Sequence, residues 1–379
     1  MATTQKKRAQ RRRDRQKKRK YDNKSSSQNG SKGNKNSTPP TPKGKVREWV
    51  EALVFALVVM LIVRTFIFDL FRIPTPSMEK SLLVGDYLFV SKLNYGTRTP
   101  ITLGVPFTQY HLPGFSLPYF RFPGFSDVKR GDAVVFNYPI EEKPVDRKMH
   151  YIKRVIGLPG EEVVVKDKVV LVDDEALSTM EGMQQFWDVY KTDERVVVSA
   201  QRLKAIGVDT LAMTINPKLL RIVATEDAIE EVESWSYIDR VEPYIASENA
   251  GYGAIMYPRG RGYTPDNYGP IKIPGKGDTV TLTIDNWHVY EPVIRRYEGH
   301  ETRVTPQGKF EIDGNPVTSY TFSQNYYFVM GDNRDNSEDS RFWGFVPFDH
   351  VVGKALLIYY SWDKDKNLPR FSRIFKVIK

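Results

Sequence analysis

"HYIKRVIGLPGEEVVVKDKVVLVDD", residues 150–174, is dense in β-branched and aromatic residues and is punctuated by Gly, Pro and Asp. "HYIKRVIG" and "EEVVVKDKVVLVDD" read as strands on those grounds. The same texture recurs in "DYLFVSKL", "GDAVVFNY", "DTVTLTIDN", "KFEIDGNPV", "NYYFVMGD" and "KALLIYYSW". Three of these begin at or just after a Gly-Asp pair (Asp86, Asp132, Asp278), a turn that enters a strand. Beyond residue 70 the chain is therefore expected to be mainly β.

Between residues 175 and 245 the texture changes. "MEGMQQFWDVYKTD" and "TEDAIEEVESWSYI" have helical composition, which predicts an inserted α+β subdomain at about 170–320. Residues 96–126 form a long Pro/Gly/aromatic excursion. It reads either as an irregular surface loop or as an aromatic rim at a membrane interface.

The 379 residues are 40% hydrophobic and include no cysteine, which excludes disulfides and thiolate metal sites. The five histidines are scattered without metal-ligand spacing, so neither a metal nor another cofactor is expected. The net charge of +10 suggests a nucleic-acid binder until it is located. Residues 1–47 hold 17 Lys and Arg against Asp14 and Asp22, whereas the remainder holds 39 basic and 44 acidic side chains. The basicity belongs to a tail, residues 1–46, without apolar periodicity; it is expected to be disordered and cytoplasmic, and no nucleic-acid partner is expected.

After the tail comes "EWVEALVFALVVMLIVRTFIFDLF". Residues 52–63 are an uninterrupted apolar run, and residues 49–68 supply the roughly 20 residues that span a bilayer. Residues 47–69 are thus expected to form a single transmembrane helix. The basic residues before it hold that end in the cytoplasm, leaving residues 70–379 on the outer side. No small-x-small cleavage site follows the helix, which argues against a cleaved signal peptide.

"RIPTPSMEKSLLVGD", residues 72–86, places Ser77 three residues before Lys80. A serine nucleophile needs a base, and no histidine sits in a motif. A lysine base must be neutral; bringing its pKa down from near 10.4 costs roughly 4 kcal/mol, which burial among apolar groups can impose. Lys80 would face Ser77 if Thr75 capped a helix with Pro76 at its first position. Glu79 and Ser81, however, favour a charged, solvated Lys80, and the chain lacks the Ser-Asp-Asn and Lys-Thr-Gly elements of Ser-x-x-Lys enzymes. Lys153 shares a strand face with Tyr151 and Val155, a place where desolvation is possible. Spacing alone leaves the choice open.

Four stretches in order, "FRIPTPSMEKSLLVGDYLFV", "KRGDAVVFNYP", "HYIKRVIGLPGE" and "GDNRDNSEDSRFWGFVP", together with the preceding anchor, resemble type I signal peptidases. These are membrane-anchored Ser-Lys proteases that remove signal peptides. The resemblance covers roughly residues 48–165 and 321–362. It implies an antiparallel β catalytic domain, with Ser77 as nucleophile and Lys153 as general base. It also implies that Ser337 hydrogen-bonds the lysine and that Asp339 and Arg341 form a supporting salt bridge. Thr75 would complete the oxyanion hole with the Ser77 N–H. Phe71, Ile73, Pro74, Met78, Tyr151 and Ile152 would line pockets for small side chains at −1 and −3. Preprotein signal peptides, the bilayer and the secretion translocon are the implied partners.

The chain departs from the family's Ser-Gly-Ser-Met by reading Thr75-Pro76-Ser77-Met78. Thr75 keeps the hydroxyl; Pro76 has no N–H and biases Thr75 to an extended backbone. A calcium loop is the rival reading of residues 331–344, since Asp335, Ser337 and Asp339 alternate, but Arg334 and Arg341 argue against it. The alternative functions are another Ser-Lys protease of related fold and a non-catalytic membrane-anchored scaffold.

Overall fold

The computed structural model describes residues 45–104, 111–208 and 213–379. The basic tail up to residue 44 and residues 105–110 of the aromatic excursion lie outside them. The chain divides into two units at Leu57/Val58, inside helix α1 (Lys45–Phe66). α1 is 22 residues long, apolar enough to cross a membrane, and buries none of its residues. It stops short of residue 69 because Phe68 already pairs with Ser91 in a strand ladder.

The body is mainly antiparallel β. Six strands make the body of its nine-stranded central sheet: β1 (Phe68–Arg72), β2 (Asp86–Ser91), β3 (Ala133–Asn137), β4 (His150–Gly157), β5 (Tyr326–Met330) and β6 (Val351–Asp363). They lie in the order β1-β2-β6-β3-β4-β5, and each neighbouring pair is antiparallel. β3 ("AVVFN") and β5 ("YYFVM") are buried at every position, which is why they read as continuous apolar runs instead of alternating.

The Gly-Asp turns that open β2 and β3 are sites of buried charge. Asp86 accepts from Leu83 N at 2.8 Å, Ser361 Oγ at 2.6 Å and Arg373 Nη2 at 2.6 Å. Gly85 before it has φ +95°, and a Cβ there would stand 2.2 Å from the Trp362 carbonyl oxygen, so the turn requires glycine. Asp132 likewise accepts from Lys129 N, Tyr95 Oη and Lys354 Nζ.

The stretch at 170–320 has two parts. Residues 185–243 build a four-stranded sheet with its own core of Val189, Leu203, Ile222, Ile229, Val232 and Trp235. Residues 252–322 instead pack onto the central sheet, where Tyr268, Trp287, Val293 and Phe322 join Ile156, Phe328 and Met330 in one core. The helical reading of "TEDAIEEVESWSYI" holds: Glu226–Glu233 is a helix capped by Thr225. The helical reading of "MEGMQQFWDVYKTD" does not. Gln185–Lys191 is a strand paired on both sides, with Leu219–Ala224 and with Ile238–Pro243. Its Phe, Trp, Val and Tyr pack against cross-strand neighbours, and that tertiary context overrides the helix-forming flanks. "DTVTLTIDN" is strand only over Thr279–Thr281; Thr283 and Asn286 then form a reciprocal cap that starts the helix Ile284–Arg296.

Candidate active site

Lys153 lies mid-strand in β4, opposite Val134 of β3. On its other side β5 pairs with β4 only as far as Met330↔Arg154, after which the chain leaves the sheet at Gly331. Two loops fill the opening beside Lys153, residues 75–79 and 331–337, and they are stitched together. Asn333 N donates to the Ser77 carbonyl and Asn333 Nδ2 to the Pro76 carbonyl, both at 3.1 Å. Asp332 N reaches Met78 Sδ at 3.4 Å. A Cβ on Gly331 would stand 2.2 Å from Ser337 Oγ and 2.6 Å from the Ser77 carbonyl oxygen. Only glycine lets the three segments approach this closely.

At this junction Lys153 Nζ donates to Ser77 Oγ at 2.6 Å. Lys153 is only 3% exposed. Burial pulls its pKa down to about 8, the nearby Arg341 adding to the effect, while the carboxylates of Asp339, Glu338 and Asp332 oppose it. The Tyr151 ring stands 5.7 Å from Nζ. The amine therefore becomes neutral at a much lower pH than an ordinary lysine, near its lowered pKa.

The loop that carries Ser337 is held by two buried ion pairs. Arg341 Nε meets Asp339 Oδ1 at 2.9 Å with both side chains sealed from solvent. Asp339 also accepts from Gly331 N at 3.1 Å, while Arg341 donates to the Pro265 carbonyl at 3.0 Å and the Arg334 carbonyl at 2.5 Å. Arg154 grips Asp332 through two hydrogen bonds of 2.8 and 2.7 Å. Ser337 is buried, but its hydroxyl makes no hydrogen bond, so the bond to Lys153 that the resemblance implies is not formed here.

Pro76–Met78 is a single 3₁₀ turn with Thr75 at its N-cap position. Thr75 is extended, as the following proline dictates, at φ −125° and ψ 155°. Its hydroxyl does not cap the turn, which leaves it available to another acceptor. Because the turn ends at Met78, Lys80 is not one helical turn from Ser77. Lys80 has φ +73° and its Nζ donates to the Gly207 carbonyl in the insert. It is partly buried and engaged there, not a solvated bystander.

Ser77 and Lys153 sit in a cleft of about 620 Å³. Phe71, Ile73, Pro74, Thr75, Tyr151 and Ile152 line it, with Leu88 and Val135 from the sheet. Met78 does not: it is 1% exposed, packed in the core with Ile73 and Leu88. Its side chain points inward because the tight turn places Ser77 and Met78 on opposite sides. His150, also at the cleft, has its pKa lowered to about 4 by burial and by Arg98, so it is neutral near pH 7. Asn336 and Glu338 complete the polar edge, and Glu338 accepts from Tyr138 Oη at 2.6 Å. These two, with Asn333 and Gly331, were not singled out from the sequence. Their signal lies inside "GDNRDNSEDSRFWG", whose polar residues look alike until the backbone bonds are known.

A model of the family described as "Signal peptidase, peptidase S26" matches residues 46–214 and 272–362, more than half of the chain. The chain belongs to the signal peptidase family. It is 28% identical over 343 residues to the signal peptidase I of Haemophilus influenzae, which covers 89% of this chain and 77% of that one. It is also 28% identical over 341 residues to that of Rickettsia massiliae, covering 87% of each. Among solved structures, a signal peptidase I from Enterococcus faecalis V583 aligns at 17% identity and a TM-score of 0.22, over 60% of this chain and 97% of that one. As a member of the signal peptidase family, this chain is a serine peptidase that cleaves signal peptides, with one N-terminal helix able to anchor it in a membrane. The family match passes over residues 215–271, which include two strands of the accessory sheet.

Proposed function

We propose that this signal peptidase works by a Ser77–Lys153 dyad and cuts after small residues at −1 and −3. The observation that carries the reading is the 2.6 Å contact between Lys153 Nζ and Ser77 Oγ at one end of a largely apolar cleft. Neutral Lys153 takes the Ser77 proton as Oγ attacks the carbonyl before the scissile bond. The developing oxyanion is met by the Ser77 N–H and the Thr75 hydroxyl, since Pro76 has no N–H to offer. The Lys153 ammonium returns the proton to the leaving amine; the neutral amine then activates the water that hydrolyses the acyl-enzyme. Asp339 and Arg341 act as supports that fix the 331–341 loop.

Phe71, Ile73, Pro74, Tyr151 and Ile152 leave room for short side chains from an extended substrate, so Ala-x-Ala-like sites fit; Met78 underlies this wall from the core. The run of basic residues before α1 supports a cytoplasmic N-terminus and an external catalytic body, single-pass in the cytoplasmic membrane. Delivery of the cleavage site at the bilayer, from the translocon, follows from that arrangement. The specificity is tested with detergent-solubilised full chain and two preproteins differing only at −1. Leu in place of Ala is expected to lower kcat/KM by about 100-fold through overpacking of the cleft; equal rates on both would reject the small-residue pocket.

A further inference from the structure

A second cleft of about 530 Å³ lies against the first and shares Pro76 and Asn336 with it as common walls. Its apolar wall is Phe186 and Val223, cross-strand neighbours in the accessory sheet. Val223 falls in the segment that the family match passes over, whereas Phe186 lies within the matched residues. Lys364 and Asp365 form an exposed rim.

The insert is bonded to the loop that holds the nucleophile. Gln184 N donates to the Asp332 carbonyl and Arg334 N to the Gln184 carbonyl, both at 2.9 Å. Asp335 Oδ2 accepts from Phe186 N at 2.6 Å, and its other oxygen takes Lys168 Nζ at 2.5 Å. Phe186 is therefore tied directly, through its own N–H, to the 331–337 loop that holds Ser77. The charged groups inside the cleft are engaged: Arg370 Nη1 donates to the Val84 and Trp362 carbonyls, both at 3.0 Å. What the cleft offers a ligand is an apolar wall with a mixed-charge rim, the chemistry of an extended peptide and not of an anion or a metal ion.

We propose that this cleft binds the leaving side of the substrate, the first few residues of the mature protein, with Phe186 and Val223 as specificity-determining contacts. The inference rests on the Ser77–Lys153 reading. With the scissile carbonyl at Ser77 Oγ and the acyl half in the first cleft, an extended chain advances about 3.3 Å per residue. The peptide leaves the first cleft at the Pro76–Asn336 wall, where the second one begins. The accessory sheet thereby takes part in substrate selection.

The test uses the full detergent-solubilised chain and two peptides with the same acyl half. One ends one residue after the scissile bond; the other continues for five residues that include a leucine. The wild type is expected to prefer the longer peptide by about tenfold in kcat/KM, the size of effect that burying part of one apolar side chain gives. In Phe186→Ala and in Val223→Thr that ratio is expected to fall to about twofold. Equal kcat/KM on the two peptides by wild type, or a ratio untouched in both variants, overturns the inference while leaving the dyad intact. If wild type cuts neither peptide, or Ser77→Ala cuts both, the dyad reading itself fails and the cleft's role with it.

Discussion

Lys153→Ala is expected to lower kcat/KM for preprotein cleavage by about 10³-fold, the contribution a positioned general base makes. The substitution removes the only group within hydrogen-bonding distance of Ser77 Oγ among the described contacts, at 2.6 Å. Ser77→Ala should cost as much, and the double variant little more, because the two groups act as a unit. Lys80→Ala provides the contrast. Its Nζ is held on the Gly207 carbonyl, so its loss loosens a tie between the nucleophile loop and the insert and should lower the rate by less than about tenfold. A Lys80→Ala loss as large as that of Lys153→Ala would reverse the assignment of the base.

Arg341→Met is expected to be the most destabilising single change near the site. Its guanidinium is fully buried and binds Asp339, Pro265 and Arg334. Removing it leaves the Asp339 carboxylate sealed from solvent, with the backbone N–H groups of Gly331 and residue 341 as donors at 3.1 and 3.3 Å. Breaking a buried pair in this way costs about 3–5 kcal/mol of stability. Urea unfolding in detergent measures it as a fall in midpoint at constant slope. Asp339→Leu combined with Arg341→Met should recover part of the loss, since neither charge is then left uncompensated. A double variant no more stable than Arg341→Met would show that the stability comes from the hydrogen bonds to Pro265 and Arg334 instead of from charge pairing.

The β character of the body was legible because its strands carry their signal locally. β3 and β5 are unbroken apolar runs, and Asp86 and Asp132 mark the turns that open β2 and β3. The strand at Gln185–Lys191 was not legible, since its state is decided by the distant partners Leu219–Ala224 and Ile238–Pro243 that supply both of its ladders. At the site, the residue types of Ser77 and Lys153 were readable but not their contact. No spacing rule joins residues 76 apart; the early exit of β5 at Gly331 is what brings them together. Met78 shows the same limit from the other side. It neighbours the nucleophile in sequence, and a tight turn sends it to the core.

The central claim is that Lys153 is neutral when it acts, and titrating its own Nζ tests it most directly. Heteronuclear NMR of lysine-labelled protein in detergent, with Lys153→Met to assign the signal, would follow that one amine. Burial lowers the folded-state pKa to about 8, so the neutral form gains as pH rises through that value, and kcat/KM should climb with it and level off above. An Nζ that titrates near 8, matched by the rising limb of kcat/KM, is the predicted result. An Nζ that titrates near the ordinary lysine value of roughly 10.4, with activity already level below pH 8, would contradict it.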